Sequence, residues 1–325
     1  MTSTKREFII WDVKGRELKE RMELYNGVIN VYKEKGYTSH DVVAKMRGIL
    51  KMKKIGHTGT LDPDAEGVLP VCIGKATKLV DIITDKDKTY EAVLKLGVTT
   101  DTQDLTGKVL RMAEVTSSRE EIEAVIMSFI GEYQQLPPMF SAIKVNGKKL
   151  YELARQGKEI ERKRRSVTIY DIRILHFNIE EHEISVSVDC KKGTYIRTLL
   201  HDIGETLGCG GAMKSLIRTA VGGFQLEEAL KLSKIEQLTF NNQIEDYIIP
   251  LDKMLINYPK LIVDRKYHKL IYNGNSFRKE HLADLSQEPS EAFEWFRIYD
   301  ADDVFIGIYR YEKEEMRFLP VKMFL

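Results

Sequence analysis

The chain has 325 residues and a mass of 37.5 kDa, a length that suits two compact domains or one large one. Hydrophobic residues make up 43% and charged residues 30%, so a disordered chain, a collagen and a disulfide scaffold are excluded. No apolar run approaches the ~18 residues of a membrane span, and the N-terminus lacks the apolar stretch of a secretory signal. Three widely spaced cysteines, Cys72, Cys190 and Cys209, are expected to be reduced thiols in the cytoplasm rather than a zinc site.

The net charge is only +1, but the charges are unevenly distributed. Residues 45–54 carry five basic side chains and no acidic one, and residues 144–165 carry nine basic and three acidic ones. Residues 286–316 carry three basic and nine acidic ones. A solvated helix face would explain any one of these runs. Two basic runs in one region, interspersed with aromatic residues, favour a groove for a polyanion.

The first predicted elements are a strand over 27–32 and an amphipathic helix over about 41–50, with Thr38 and Ser39 as N-cap candidates. Residues 55–67 contain three glycines and an Asp-Pro pair, and we expect irregular backbone there. The sequence contains no internal repeat.

Apolar alternation predicts strands over 90–96 and 183–190. Between them, a capping box formed by Ser118 and Glu121 predicts the start of a helix, which Gly131 is expected to end. A helix with core spacing follows the second strand.

The predicted secondary structure changes in the C-terminal part of the chain. Residues 226–255 are predicted to form a helical connection, and short strands follow at 293–299, 304–311 and 318–324. Helices and strands mix without regular βαβ alternation, so the sequence predicts an α+β fold with a small β-rich module at its end.

The densest polar loop is GHTGTLDPDAEG, residues 56–67. A calcium loop starting at Asp62 would need a glutamate at its twelfth position, where Ile73 stands. A P-loop would need a lysine followed by serine or threonine, which this loop lacks. Two interpretations remain: a plain Asp-Pro turn, and a catalytic loop that presents the Asp62 carboxylate while Pro63 fixes the backbone.

Two other segments favour the catalytic interpretation, KGTYIRT at 192–198 and KTYEA at 88–92. Arg197 beside a buried carboxylate would keep it ionised and oriented. Tyr90 and Tyr195 offer flat surfaces on which a base can stack. With no metal-ligand cluster or nicotinamide motif, this set suggests cofactor-independent chemistry on a nucleobase. Spacing alone does not bring the segments together.

Five segments occur in order along the chain. They are GHTGTLDPDAEGVLPVCIGKATK (56–78), KTYEAVLKLGVTTDTQDLTG (88–107), LPPMFSAIKVNGKKLYELARQG (136–157), KKGTYIRTLLHDIGETLGCGG (191–211) and SLIRTAVGGF (215–224). Together they resemble the TruB-type tRNA pseudouridine synthases, and the opening GVINVYKEKGYTSHDVV resembles the bacterial members rather than the guide-RNA-dependent ones. The resemblance implies a pseudouridine-synthase fold with a mixed, mainly antiparallel central sheet.

The resemblance also implies a domain organisation. A catalytic domain would span 25–250, with an RNA-gripping thumb at about 136–165, and a PUA-like RNA-binding module would span 251–325. Residues 1–24 form an extension without an assigned role. The implied activity converts the uridine at position 55 in the tRNA T-loop to pseudouridine, without guide RNA, metal, other cofactor or obligate protein partner.

By the same resemblance, Asp62 is the catalytic carboxylate, which either attacks the sugar C1′ or removes a proton to give a glycal-like intermediate. Tyr90 stacks on the target base, and Arg197 pairs with Asp62. The residues implied to touch RNA elsewhere are Tyr195 and Leu216 in the uracil pocket, His57 in the space vacated by the target, and Lys144, Lys148 and Lys149 in the thumb.

One departure from the family pattern concerns Asp64 and Glu66, two acids that would raise the pKa of Asp62 if they lie close to it. Two other functions stay open: a non-catalytic tRNA-binding or folding protein on the same scaffold, and a synthase for a different RNA site.

Overall fold

The structure, a computed structural model, describes residues 25–325 except 142, 146 and 287–291. The N-terminal extension therefore lies outside the described residues. The strands are β1 (Gly27–Lys33), β2 (Ile55–His57), β3 (Glu66–Ile73), β4 (Lys88–Leu96), β5 (Val98–Thr100), β6 (Val109–Met112), β7 (Gly131–Gln135), β8 (Lys144–Val145), β9 (Lys148–Lys149), β10 (Arg165–Asn178), β11 (Glu183–Cys190), β12 (Gly211–Val221), β13 (Phe224–Gln225), β14 (Ile249–Pro250), β15 (Lys260–Ile262), β16 (Phe277–Arg278), β17 (Phe296–Tyr299), β18 (Phe305–Glu312) and β19 (Arg317–Met323). The α-helices are α1 (Ser39–Leu50), α2 (Val80–Thr84), α3 (Arg119–Met127), α4 (Leu150–Ala154), α5 (Ile196–Thr206), α6 (Leu232–Phe240) and α7 (His268–Tyr272).

A ten-stranded sheet forms the larger part of the molecule. Its order is β14-β1-β3-β12-β4-β11-β10-β7, with β2 paired to β3 and β13 paired to β12. All of its strand pairs are antiparallel except β3 with β12. The predicted α+β class with a mixed, mainly antiparallel sheet is therefore confirmed.

The middle of this sheet is covered on both faces. In β3, Leu69 and Val71 pack with α1 and α6, whereas Val68 and Cys72 point to the opposite face. This double burial explains why β3 is a continuous apolar run rather than an alternating one. Farther along the sheet, α3 and α5 pack against β4, β10 and β11.

The C-terminal strands form a second sheet in the order β15-β17-β18-β19-β16. Ile308 and Phe324 of this part join the same apolar cluster as Val68 of β3. Lys322 adds polar contacts across the junction, since its Nζ pairs with Asp81 at 2.6 Å. The small β-rich module thus packs directly against the large sheet.

Residues 136–164 leave and rejoin the edge of the large sheet at one point, because Gln135 of β7 pairs with Arg165 of β10. This insertion, here called the thumb, contains the two-stranded β8–β9 sheet and the short helix α4.

Most of the predicted elements are confirmed. Of the two N-cap candidates, Thr38 caps α1, which begins at Ser39 rather than near residue 41, and the predicted capping box at Ser118 forms. Two predictions were wrong. Residues 55–67 are not all irregular, since β2 pairs with β3, and Gly131 opens β7 after α3 has already ended at Met127. Among the described helices, none is long and apolar enough to cross a membrane.

Candidate active site

The loop between β2 and β3 carries Asp62 on a rigid turn. Its neighbours Leu61 and Ala65 are buried in the core cluster that includes Tyr90. The Leu61 N–H donates to the Ser39 hydroxyl at 2.9 Å, at the start of α1. Apolar and polar contacts on both sides of Asp62 therefore hold the backbone that carries its carboxylate.

A buried lysine secures the second half of this loop. Lys33, at the end of β1, is fully buried and donates its Nζ to the carbonyls of Ala65 at 2.6 Å and Pro63 at 3.1 Å. Burial lowers the pKa of Lys33 to about 8. Our sequence reasoning missed this residue. The signal was its position two residues after Val31, on the inward face of a buried strand.

The structure brings Arg197 to Asp62. From the first turn of α5, its Nε lies 2.9 Å from the Asp62 Oδ2, and its two terminal nitrogens donate to the carbonyls of Thr102 at 3.0 Å and Phe140 at 2.8 Å. A second acid, Asp104, lies 3.5 Å from the guanidinium. Segments far apart in sequence thus converge on one arginine, whose orientation they fix.

The arginine, not the carboxylate, is the deeply buried partner. The side chain of Arg197 is 6% exposed and that of Asp62 is 38% exposed, so the carboxylate that we expected to be buried is only partly buried. Asp62 is therefore accessible to solvent, while the buried Arg197 holds its Oδ2.

The pKa of Asp62 is nevertheless raised, chiefly because the protein around its partly buried carboxyl group displaces water that would stabilise the charged form. Arg197 opposes this shift and Asp104 adds to it. Asp64 is exposed, and Glu66 is only half-buried at the start of β3. Of the nearby acids, Asp104 therefore has the largest effect on the pKa of Asp62, and our sequence reasoning did not single it out.

Tyr90 lies opposite Arg218 in the β4–β12 pair, so both side chains are on the same face of the sheet. Arg218 is fully buried and donates its Nε to the Val68 carbonyl at 2.8 Å. Burial raises the pKa of Tyr90, whereas the charge of Arg218 lowers it. Gly67 permits this arrangement, since its φ is +105° and a Cβ there would lie 2.2 Å from the Arg218 carbonyl oxygen.

Three further predicted residues surround this centre. Tyr195 is half-buried immediately before α5, where the charges of Arg197 and Asp62 both act on its phenol. Leu216 is buried in the same cluster as Tyr90, so it is a packing residue as well as a pocket candidate. His57 is half-buried in β2, and burial lowers its pKa.

The predicted RNA-binding lysines lie in the thumb. Lys148 is exposed, whereas Lys149 is half-buried with its Nζ 5.4 Å from the centre of the Tyr151 ring. The backbone of Lys144 belongs to β8, and its side chain lies outside the described part.

In the described part of the chain, one group has metal-ligand spacing: His268, Asp300 and Asp302 in the C-terminal module. These side chains are already engaged. His268 Nε2 accepts from the Ala301 N–H at 2.9 Å, and Asp302 pairs with Arg265. The group is therefore explained by a network within the fold and gives no argument for a bound ion.

Comparisons with known proteins show which family the chain resembles. Residues 47–196 match the family model described as "TruB family pseudouridylate synthase (N terminal domain)", and residues 197–256 match the "tRNA pseudouridylate synthase B C-terminal domain". A protein of Lachnoclostridium phytofermentans named tRNA pseudouridine synthase B is 55% identical over 92% of this chain and 100% of its own length. One of Alkaliphilus oremlandii with the same name is 48% identical over 91% of this chain and 97% of its own.

Two solved structures are also similar over most of the chain. One comes from an H/ACA RNP bound to a substrate RNA, with 25% identity, a TM-score of 0.69, and coverage of 94% of this chain and 86% of that one. Another, from a Cbf5-Nop10-Gar1 complex, has 26% identity, the same TM-score, and coverage of 95% and 87%. On the two family matches and these near-full-length relatives, the chain belongs to the TruB family of pseudouridylate synthases.

Proposed function

We propose that this protein converts the uridine at position 55 in the tRNA T-loop to pseudouridine, and that it does so without a guide RNA. The observation that carries the proposal is the Asp62–Arg197 ion pair beside Tyr90 and Tyr195. Relatives named tRNA pseudouridine synthase B are matched over 97–100% of their length at 48–55% identity, which supports tRNA as the substrate. The protein from the H/ACA RNP is more distant, at 25% identity.

The reaction is an isomerisation, so every atom of the uridine is retained. The N1–C1′ bond breaks, the base rotates, and a C5–C1′ bond forms as C5 loses a proton and N1 gains one. Asp62 either attacks C1′ or removes a sugar proton to give a glycal-like intermediate, and both routes require it ionised. Arg197 engages the Oδ2 of Asp62, which leaves Oδ1 to face the substrate.

A base inside a folded loop reaches Asp62 only after it leaves the stack, at a cost of a few kcal/mol. Stacking on Tyr90 and contact with Leu216 and Tyr195 would offset this cost. His57 would fill the space that the uridine leaves. The thumb lysines, Lys148 foremost because it is exposed, would bind phosphates and position the T-arm.

The test uses purified protein and an unmodified tRNA transcript, in buffer with EDTA and no nucleotide. Pseudouridine is mapped by carbodiimide treatment and primer extension. Asp62→Asn is the loss-of-function variant, and Asp64→Asn is its matched control, because it makes the same change at an exposed position of the same loop. We expect one new stop at the T-loop uridine with the wild type and Asp64→Asn, and none with Asp62→Asn.

The other outcomes separate the alternatives. Tight tRNA binding without any stop would support a non-catalytic RNA-binding protein. A stop at another uridine would retain the chemistry and overturn the site. Repeating the assay with a bare T-arm minihelix tests guide independence, since only the protein and the substrate arm are present.

A further inference from the structure

The side chain of Gln135 joins the base of the thumb to the start of α5. Gln135 ends β7, is 1% exposed, and pairs through its backbone with Arg165, so it lies where the thumb leaves and rejoins the sheet. Its Oε1 accepts from the Tyr195 N–H at 2.8 Å, and its Nε2 donates to the Tyr195 carbonyl at 3.0 Å. One amide thus binds both backbone groups of a single residue.

This clamp acts where α5 lacks a cap of its own. Tyr195 is the N-cap residue, and its side chain makes no capping hydrogen bond. Aromatic residues are poor N-caps, so the helix start depends on contacts from elsewhere in the fold. Arg197 follows two residues later, and the orientation of its side chain depends on the backbone that Gln135 holds.

The thumb base also contacts Arg197 directly. The Phe140 carbonyl accepts from the Arg197 Nη2 at 2.8 Å, five residues after Gln135 in the chain. The base of the thumb therefore holds the start of α5 through the backbone of Tyr195. It also holds the terminal nitrogen of the Arg197 guanidinium through the Phe140 carbonyl. A shift of the thumb base would displace the arginine that holds Asp62.

We propose that Gln135 is a positioning residue for the isomerisation: it sets Tyr195 and Arg197 against Asp62 and couples this arrangement to the thumb. The active site is then fully ordered only when the thumb base is in place. This inference rests on the proposed function, and it concerns the rate of chemistry rather than the affinity for tRNA.

The experiment compares Gln135→Met, which removes the two hydrogen bonds to Tyr195 and the one that the Nε2 donates to the Tyr133 hydroxyl, with Gln135→Glu, which keeps the shape. The matched control is Gln134→Glu, the same change at the exposed neighbouring residue. Single-turnover rates at saturating tRNA and tRNA dissociation constants are measured from pH 6 to 8.5, with circular dichroism at each pH. The titratable groups nearby are Tyr133, Tyr195 and Asp202, beside the fixed charge of Arg165. Burial raises the pKa of both tyrosines, which places their titration above pH 8.5, and Asp202 is present in every variant.

We expect Gln135→Met to slow the single-turnover step at least ~10-fold at every pH, since small misplacements in an active site have effects of this size or larger. The carboxyl group introduced by Gln135→Glu donates to the Tyr195 carbonyl only when protonated, and burial raises its pKa. Its rate relative to the wild type should therefore be low at pH 8.5 and recover towards pH 6. Dissociation constants should stay within about threefold, since the phosphate contacts are untouched.

An unchanged rate for Gln135→Met, a pH-independent ratio for Gln135→Glu, or an equal loss for Gln134→Glu would overturn the proposal. So would a loss seen only in tRNA binding. If Gln135→Met does not fold, the ratio for Gln135→Glu decides, and unfolding of both variants would reduce Gln135 to a structural role. If the wild type forms no pseudouridine at the T-loop, the proposed function fails instead.

Discussion

The active site and the thumb hold their charged residues in opposite ways. Arg197 is almost fully buried and is fixed by Asp62, by two backbone carbonyls and, more distantly, by Asp104. Lys148 in the thumb is exposed, on a two-residue strand of a two-stranded sheet. The first arrangement fixes one geometry, whereas the second leaves a charge that adapts to its partner.

The difference matches the roles that the proposed function gives the two regions. Breaking and remaking a bond to C1′ requires a carboxylate held in place, in surroundings where each charge acts strongly. Binding the RNA backbone requires positive charge near phosphates, and each such contact contributes little and is screened by salt. The buried arginine thus holds the partly exposed carboxylate in place, whereas the exposed lysine is free to follow a phosphate.

The largest effect should come from breaking the buried pair. Arg197→Met removes the partner of Asp62 and leaves the carbonyls of Thr102 and Phe140 without their donor. We expect the single-turnover rate to fall by at least ~100-fold, the size of loss typical when a preorganised electrostatic contact is removed. Arg197→Lys, which keeps the charge but cannot bridge all these partners, should lose less. A rate within tenfold of the wild type for Arg197→Met would contradict this account.

Substitution of buried leucines tests whether the active-site region and the thumb also contribute differently to the free energy of unfolding. Leu199 of α5 is fully buried in the main core cluster, and Leu199→Ala should lower the free energy of unfolding by about 2–5 kcal/mol. Leu153 of the thumb helix α4 is also buried, but it lies outside the clusters on the two large sheets. Leu153→Ala should lower global stability by less than about 2 kcal/mol, below the usual range for core leucines. Urea unfolding measures both; equal losses would show that the thumb is part of the cooperative core.

The raised pKa of Asp62 predicts how the single-turnover rate depends on pH. A carboxylate that must be ionised loses activity as the pH falls through its pKa in the folded protein, and burial places that pKa above the ordinary value of 3.8. The acid limb of the single-turnover rate should therefore lie above the usual range for aspartate. Arg197→Met should move it further up, because Arg197 lowers this pKa. Asp64→Asn should leave it in place, and a limb at the ordinary aspartate value would contradict the assignment.

The smallest effect should come from the thumb. Lys148→Ala should weaken tRNA binding by less than about tenfold at moderate salt and reduce the slope of log K against log salt by about one, as expected for the loss of one phosphate contact. Lys149→Ala is the matched comparison, and we expect a smaller change because Lys149 lies over the Tyr151 ring. Saturating single-turnover rates should be unchanged for both. Binding that does not vary with salt would rule out phosphate contact.

Local signals in the sequence predicted the elements well. The N-cap candidate Thr38 and the capping box at Ser118 predicted the starts of their helices because capping involves residues only about three apart, and the alternation around Tyr90 predicted its strand. The strand β2 was missed because it owes its existence to pairing with β3 across a loop. No local propensity encodes such a pairing.

The sequence by itself determined the family resemblance and the fold class. It also identified Asp62, Tyr90 and Arg197 as the main candidate site residues. Only the tertiary structure decided which residues support them. Lys33 under the loop, Asp104 beside Arg197, and Gln135 on the backbone of Tyr195 all act through contacts between segments 30 to 93 residues apart. Motifs record which residue types chemistry needs, whereas burial and hydrogen bonding depend on where the sheet brings distant segments together.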